Sequence, residues 1–355
     1  MEMSTASPQT SEPQNSFYYT AFYASIFVGS LGMIGNAFVC LVMLRYRSVF
    51  ISTTNKLIIH QSIVDFLGAF VFILRQLLVI SPPAIVPDNV LGSVYCKVWW
   101  SPFLQYSVFI TSSYNLVAIS LERYYATCQP VKHRSMFSSN RLKMVILITW
   151  LCGSLPTAHN FPISHQTNGM CGVYWPSPAF RAVVGFLVFV RDLVIPLAIM
   201  VFAYTKIILE LRRRSKARDD DNNQDARNML SRANKNVIKT LLVVVIFFAV
   251  CWTPTEIFYM VFNLGLIEVF AFNAALPLFS TVVVVNLCIN PFIYCFTYER
   301  FQKQAKKMIF SGRLRNINRV DTTSGSTRQE ASAHNTIQVS ASISVNLPVH
   351  NPTEP

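Results

Sequence analysis

Seven apolar runs constrain this chain more than any other feature: they lie near residues 19–44, 57–80, 94–121, 142–161, 180–209, 237–264 and 271–296. Each reaches the roughly 20 residues that an α-helix needs to cross the hydrocarbon core of a bilayer. Of the 355 residues, 52% are hydrophobic and only 13% charged, about half the charge of a soluble protein. The second, third, fifth and sixth runs hold isolated charges, so hydropathy alone decides them less firmly. The expectation is an all-α membrane protein, a seven-transmembrane helix bundle with a short amphipathic helix after the seventh span. Residues 1–18 read as an outer tail, 19–310 as the bundle with its amphipathic helix, and 311–355 as a disordered inner tail.

Lys and Arg set the orientation of such a bundle. Residues 1–44 contain neither, and Arg45 and Arg47 follow the first run immediately. Basic residues then gather in alternate loops: Lys56; Lys132, Arg134, Arg141 and Lys143; Arg212 to Arg218 with Arg227, Arg232 and Lys235; and Arg300 to Arg319. The opposite loops hold little beyond Lys97 and Arg181. The N-terminus is therefore expected outside and the C-terminus inside, in the plasma membrane. The net charge of +13 reads as this bias and as attraction to anionic lipid. It does not point to nucleic acid, because no basic domain stands free of the membrane. The polar start lacks a charged-then-apolar leader, so the first helix is expected to serve as the anchor. The chain carries no Asn-x-Ser/Thr sequon.

Of eight cysteines only Cys96 and Cys171 fall on the expected outer side. Two cysteines in an oxidising location favour one disulfide, from the top of the third run to the fourth-to-fifth loop; two free thiols are the alternative. The longest inner loop, 212–233, sets Arg212, Arg213 and Arg214 against Asp219, Asp220 and Asp221, and is expected to extend the fifth and sixth helices partly into the cytosol. Residues 298–309 place Phe301, Ala305, Met308 and Ile309 on one face against Lys303, Lys306 and Lys307, the pattern of a helix lying along a membrane. The tail beyond is rich in Ser, Thr, Asn and Gln. Its Thr322, Thr323, Ser324, Ser326 and Thr327 are candidate phosphate acceptors, with a plain solvated tail as the alternative.

Polar groups inside the spans are costly and mark function by default. The seventh run ends in Asn290-Pro291-Phe292-Ile293-Tyr294. Proline removes a helix N–H and clashes with the turn before it, so this helix is expected to bend and to face protein rather than lipid. A deeper polar set comprises Asn36, Asp65, Ser112, Asn286 and Asn290; it reads as one shared cluster, around sodium and water or as a purely structural knot. Glu122, Arg123 and Tyr124 close the third run, with Tyr204 and Tyr294 at similar depth on the fifth and seventh.

Taken together these motifs resemble the class A (rhodopsin-like) G-protein-coupled receptors over roughly residues 18–310, and among them the neuropeptide-type receptors. The matches are Gly35-Asn36, Asp65, Leu121-Glu122-Arg123-Tyr124, Trp150, Pro196 with Tyr204, Cys251-Trp252-Thr253-Pro254 and Asn290 to Tyr294, in order, one set per span. The resemblance implies that Glu122 holds Arg123 in the inactive state and releases it toward a heterotrimeric G protein. It implies that Trp252 and Phe248 repack beneath a ligand, that Pro254 lets the sixth helix swing, and that Tyr204 and Tyr294 move toward Arg123. Asp65, Ser112, Asn286 and Asn290 resemble a sodium site, with no other cofactor expected. Arrestin and receptor kinases are the partners implied for the tail, and membrane lipid for the basic loops.

Three departures stand out. Cys96 lies 27 residues before Arg123, two more than such receptors show, so the top of the third helix is expected to bulge. The sixth run begins with Asn234, Lys235 and Asn236 instead of an acid that would face Arg123. His60-Gln61-Ser62 replaces the usual small residues before Asp65.

The shallower polar set is Arg75, Gln76, Gln105, His159, Arg191, Asp192, Glu256 and Tyr259. All but His159 are candidate ligand-binding residues. Gln105 stands where amine receptors place an aspartate, and 279–285 lacks a retinal-binding lysine. Two basic and two acidic groups favour an extracellular peptide, unless Arg191 or Arg75 pairs internally with Glu256 or Asp192. An amine or other small-molecule receptor and a constitutively active receptor remain as alternatives. A transporter or an enzyme fits least, because no internal repeat and no catalytic set is legible.

Overall fold

The structure, a computed structural model, describes residues 12–80, 86–216 and 225–310, without the side chains at 12–18, 79–80, 139, 215–216, 225–241 and 269–274. The Thr322–Thr327 candidates, the Asp219–Asp221 triplet and the side chains of Asn234, Lys235 and Asn236 thus lie outside the described residues. The chain divides into two compact units, 1–305 and 306–355; of the second, only 306–310 is described, and it is helical.

The first unit is built of helices. In chain order they are α1 (Glu12–Arg45), α2 (Thr53–Ile80), α3 (Val90–Val94) running into a π-turn (Tyr95–Trp100), α4 (Phe103–Cys128), α5 (Pro130–Met136), α6 (Ser139–Thr157) and α7 (Asn160–Ile163). A hairpin of β1 (Ser164–Thr167) and β2 (Met170–Val173) follows. Then come α8 (Pro178–Phe189), a second π segment (Val190–Val194) continuous with α9 (Ile195–Lys216), α10 (Asp225–Asn263) and α11 (Val269–Thr297). Residues 299–310 form a last helix, α12. The helix of the first run begins at Glu12, inside the segment expected to be tail.

Among the described residues, six helices are long and apolar enough to cross a membrane: Tyr19–Arg45, Thr53–Leu78, Asn140–Ile163, Pro178–Arg214, Leu242–Asn263 and Ala275–Thr297. The one not among them is α4, the third run, and its position explains why. It packs against α2, α6 and α9, and nearly all of Gln105 to Glu122 is buried. By contrast, only 22% of the apolar window of α6 and 33% of that of α1 is buried, so these helices present apolar side chains outward. A helix shielded by its neighbours needs no lipid-matching surface. Its hydroxyls satisfy themselves on the turn before: Thr111 donates to the Ser107 carbonyl at 2.7 Å, and Ser120 to that of Leu116 at 2.8 Å. Gly153 lets α6 come close, since a Cβ there would stand 2.6 Å from the Ser107 carbonyl oxygen.

The proline in α11 is accommodated through α1. Pro291 has no N–H, so the Leu287 carbonyl one turn earlier loses its helical partner. Asn36 Nδ2 donates to that carbonyl at 3.0 Å while also bonding the Gly32 carbonyl at 2.9 Å. The close approach depends on two glycines. A Cβ on Gly35 would lie 3.1 Å from the Pro291 ring, and one on Gly32 2.6 Å from Cys288 Sγ. In the fifth span Pro196 likewise frees the Asp192 carbonyl, and the widened π segment sits directly ahead of it, a usual way to absorb such a defect.

The two-residue excess between Cys96 and Arg123 is taken up by the π-turn Tyr95–Trp100 and a break at Ser101-Pro102 before α4 starts. The expected helix over 94–121 is therefore two pieces, and α4 runs seven residues further, to Cys128. The disulfide Cys96–Cys171 joins that π-turn to β2, with Cα atoms 5.4 Å apart, within the range such bonds need. The hairpin corrects the all-helical expectation for this loop. Asn168 and Gly169 both take positive φ, 51° and 76°, the backbone of a tight two-residue turn that favours Asn-Gly. The loop before α3 holds the tip, Val86 N–H donating to the Gly169 carbonyl at 2.8 Å. In α12, Phe301 and Ala305 are buried, with the Phe301 ring 6.2 Å from that of Phe38.

Replacing Asn36 by Leu leaves the Leu287 carbonyl buried and unpaired, so the detergent-solubilised protein should lose about 1–2 kcal/mol of stability, read as an earlier thermal transition. Cys96→Ser and Cys171→Ser should lower surface expression equally, and the double variant no further. Normal surface levels for either single variant would show that the bond is dispensable.

Candidate functional site

One hydrogen-bonded chain crosses the bundle at mid-depth. Its acceptor end is the fully buried Asp65 carboxylate on α2. Oδ1 accepts from Gln61 Nε2 at 2.9 Å and from the Ser112 hydroxyl of α4 at 2.6 Å, and Oδ2 from Asn290 Nδ2 of α11 at 2.8 Å. Gln61 also donates to Ser112 Oγ at 2.5 Å. Behind Gln61, Asn115 Nδ2 donates to its Oε1 at 2.7 Å and to the Leu57 carbonyl at 3.1 Å. His60 Nδ1 faces Asn115 Oδ1 at 2.9 Å, and Trp150 Nε1 of α6 donates to His60 Nε2 at 3.1 Å. Of the cluster expected from the sequence, Asp65, Ser112 and Asn290 are joined. Asn286 is buried with its Nδ2 unpartnered among the described residues, and Asn36 serves the Leu287 carbonyl of α11 instead.

At one end of α4, Glu122 gathers four donors. Arg123 reaches it with Nε at 2.6 Å and Nη2 at 3.0 Å. Thr54 Oγ1 of α2 donates at 2.7 Å, and His133 Nε2 of α5 stands 2.9 Å from Oε1. Glu122 is buried to 1% while Arg123 and His133 keep 17% and 24% of their side chains exposed. The arrangement is a clasp: a dry carboxylate holds a guanidinium that is wet on its other side. Tyr124 does not take part in it; its hydroxyl accepts from Gln129 Nε2 at 2.8 Å, and its ring packs on Phe202.

The bundle interior also holds large buried aromatics. Phe248 and Trp252, one turn apart on α10, are fully buried with centroids 5.8 Å apart, and Pro254 follows them inside the helix. Tyr204 lies within electrostatic reach of Arg123 and Glu122 and contacts Ser120. Tyr294 lies within reach of Tyr204 and Asp65. The Tyr294 hydroxyl and the Trp252 indole N–H have no hydrogen-bond partner among the described residues. Tyr298, beyond α11, ties back to α2 by donating to Asn55 Oδ1 at 2.8 Å.

At the opposite end the charged groups converge on Glu256. Asp192 and Arg191 of the fifth span lie within electrostatic reach of it, as do Tyr106 and Tyr259. Arg191 clasps its neighbour Asp192 through two nitrogens, so the internal pairing open from the sequence is made there. Glu256 is 2% exposed, and its Oε2 has no hydrogen-bond partner among the described residues. Arg75 Nη1 donates to the Ser101 carbonyl at 2.6 Å, bracing the break above α4. Gln105 is buried and Gln76 half-buried, and neither joins the charged group. His159 and Arg191 also line a cavity of about 350 Å³ with Pro156, Val184, Val188 and Ile195; Glu256, Asp192 and Tyr259 are not in its lining.

Several members were not singled out from the sequence. Tyr106 sits one residue past Gln105, a position the bulge above α4 made hard to register. Thr54 and His133 carry no signal of their own until α2 and α5 are placed beside Glu122. His60 and Gln61 were legible as unusual neighbours of Asp65 but not as its donors.

The family model described as 7 transmembrane receptor (rhodopsin family) matches residues 35–294. The Allatostatin-A receptor of Bombyx mori is 28% identical over 298 residues, covering 80% of this chain and 78% of the relative. Galanin receptor 2b of Danio rerio is 28% identical over 287 residues, 78% of this chain and 71% of the relative. Galanin receptor type 1 of Homo sapiens is 27% identical over 308 residues, 83% and 82%. The match spans the Asp65 network, the Glu122–Arg123 clasp and Pro291 of α11, and the family consists of receptors rather than enzymes. With its apolar helices, the chain is a multi-pass membrane protein and belongs to the rhodopsin family of seven-transmembrane receptors.

Proposed function

We propose that this receptor is activated by an extracellular peptide and signals through heterotrimeric G proteins. The observation that carries the ligand half is Glu256: a carboxylate oxygen without a hydrogen-bond partner, one turn outward of Trp252, beside Asp192, Arg191 and two tyrosines. Buried carboxylates want donors, and a peptide amine, Lys or Arg supplies them. The clasped Arg191–Asp192 pair offers both signs to the rest of the chain. Relatives named for allatostatin and galanin support a peptide over other classes. A small amine is the second reading, favoured by the same unpaired carboxylate.

The bundle crosses the membrane seven times, α4 included, with the N-terminus outside and the C-terminus inside, as the placement of Lys and Arg favours. α12 lies along the inner surface, its Lys303, Lys306 and Lys307 toward anionic lipid. The Glu122–Arg123 clasp faces the cytosol and represents the resting state. Ligand contact with Glu256 shifts the packing of Trp252 and Phe248, and α10 swings about Pro254. Arg123 leaves Glu122 for the G protein while Tyr204 and Tyr294 approach it. The ligand drives this only by its difference in affinity for the two states. Phosphates on Thr322 to Thr327 recruit arrestin after receptor kinases act.

A peptide library screened in cells that carry a promiscuous G protein, with calcium as the readout, tests the ligand class; activation by amines but by no peptide would select the second reading. Arg123→Ala should reach the surface at normal levels yet lose nearly all coupling, and full signalling would overturn the role given to the clasp. Glu256→Gln should weaken agonist potency about tenfold, roughly 1.4 kcal/mol. Unchanged potency would mean that the unpaired carboxylate is structural.

A further inference from the structure

We infer that the Gln61 carboxamide takes the place beside Asp65 that a sodium ion would hold, so that this receptor carries a built-in substitute for the ion and does not respond to it. The sodium expectation rested on Asp65, Ser112, Asn286 and Asn290. Hard cations need oxygen lone pairs turned toward them. Here Asp65 Oδ1 accepts two hydrogens, Oδ2 one and Ser112 Oγ one. Gln61 Nε2 spends its two N–H groups on Asp65 Oδ1 and Ser112 Oγ, at 2.9 and 2.5 Å. The Ser112 hydrogen goes to the same Oδ1 at 2.6 Å, and Asn290 caps Oδ2 at 2.8 Å. The Asn286 amide nitrogen is buried without a partner and makes no bond to the carboxylate. The positive end of an amide dipole thus lies between two of the expected ligands, where it would repel a cation.

The amide orientation that this requires is fixed by groups with one role only. The Leu57 carbonyl can only accept, so Asn115 presents Nδ2 to it and to Gln61 Oε1. That leaves Gln61 Nε2 for Asp65. At the far end the Trp150 indole can only donate, so His60 accepts at Nε2 and carries its hydrogen on Nδ1, toward Asn115 Oδ1. Every donor from Trp150 to Gln61 therefore points toward the Asp65 carboxylate. An ion would bind and leave with its concentration; Gln61 is covalently present in every molecule, braced from α4 and α6. Gln61 is a positioning residue for Asp65, and His60, Asn115 and Trp150 position Gln61.

The test is thermal unfolding of the purified, detergent-solubilised full-length receptor in sodium chloride against choline chloride at equal ionic strength, about 0.15 M, a comparison that needs no agonist. A ligand bound only to the folded state raises the melting temperature. Wild type should melt at the same temperature in both salts. Gln61→Leu should melt lower than wild type in choline and gain on the order of 3 °C in sodium, as expected for occupation of a freed site. Should Gln61→Leu not fold, Gln61→Ala serves for the same comparison. A sodium-specific rise in wild type would overturn the inference. So would folded Gln61 variants that stay indifferent to sodium, since Gln61 would then not be what excludes the ion. The comparison is independent of the ligand class and of coupling, so it stands or falls apart from the functional reading above.

Discussion

A carboxylate that must stay out of water dominates this structure. A charge at the bilayer centre costs about 2.5–3.5 kcal/mol even on lenient scales, and Asp65 is fully buried. It is kept there by donors from α2, α4 and α11. Satisfying one side chain therefore holds three helices in register. Because Gln61 is itself braced through Asn115, His60 and Trp150, the tie extends to α6, the helix with the most exposed apolar window. The seams of the bundle are apolar and could slide; the network cannot without leaving a buried polar group unpaired.

The second constraint is a backbone one, and it operates between α1 and α11. The carbonyl that Pro291 frees is met by Asn36, and Gly32 and Gly35 let the two helices come close enough for that bond. Asn290, the residue before Pro291, bonds Asp65 of α2. The proline of α11 thus lies between polar contacts to two different helices, α1 and α2.

Much of this was legible in the sequence, and what was missed has definable causes. The 27-residue spacing announced the bulge that became the Tyr95–Trp100 π-turn. Asp65, Ser112 and Asn290 were legible as a set because each is polar in an otherwise apolar segment. Pairings were not. Whether Arg191 meets Asp192 or Glu256 depends on rotamers of long side chains, and only the fold decides it. The hairpin was overlooked although Asn168-Gly169 is a strong turn signal, because a loop between two spans was read only for its cysteine.

The polarity of α4 bears on how the chain is made. A helix is released into lipid one segment at a time when its own side chains favour lipid over water. The window that would qualify α4 is missing, while α2 and α6, its sequence neighbours, both qualify. Left alone in hydrocarbon, α4 would expose Gln105, Ser112, Asn115 and Glu122 to tails that offer no hydrogen bonds. Its integration thus depends on company: α2 already in place with Gln61 and Thr54 to receive those groups, and α6 soon after with Gly153 to close over Ser107. A substitution at Gly153, where a Cβ would meet the Ser107 carbonyl, would be felt first as poorer packing of α6 on α4.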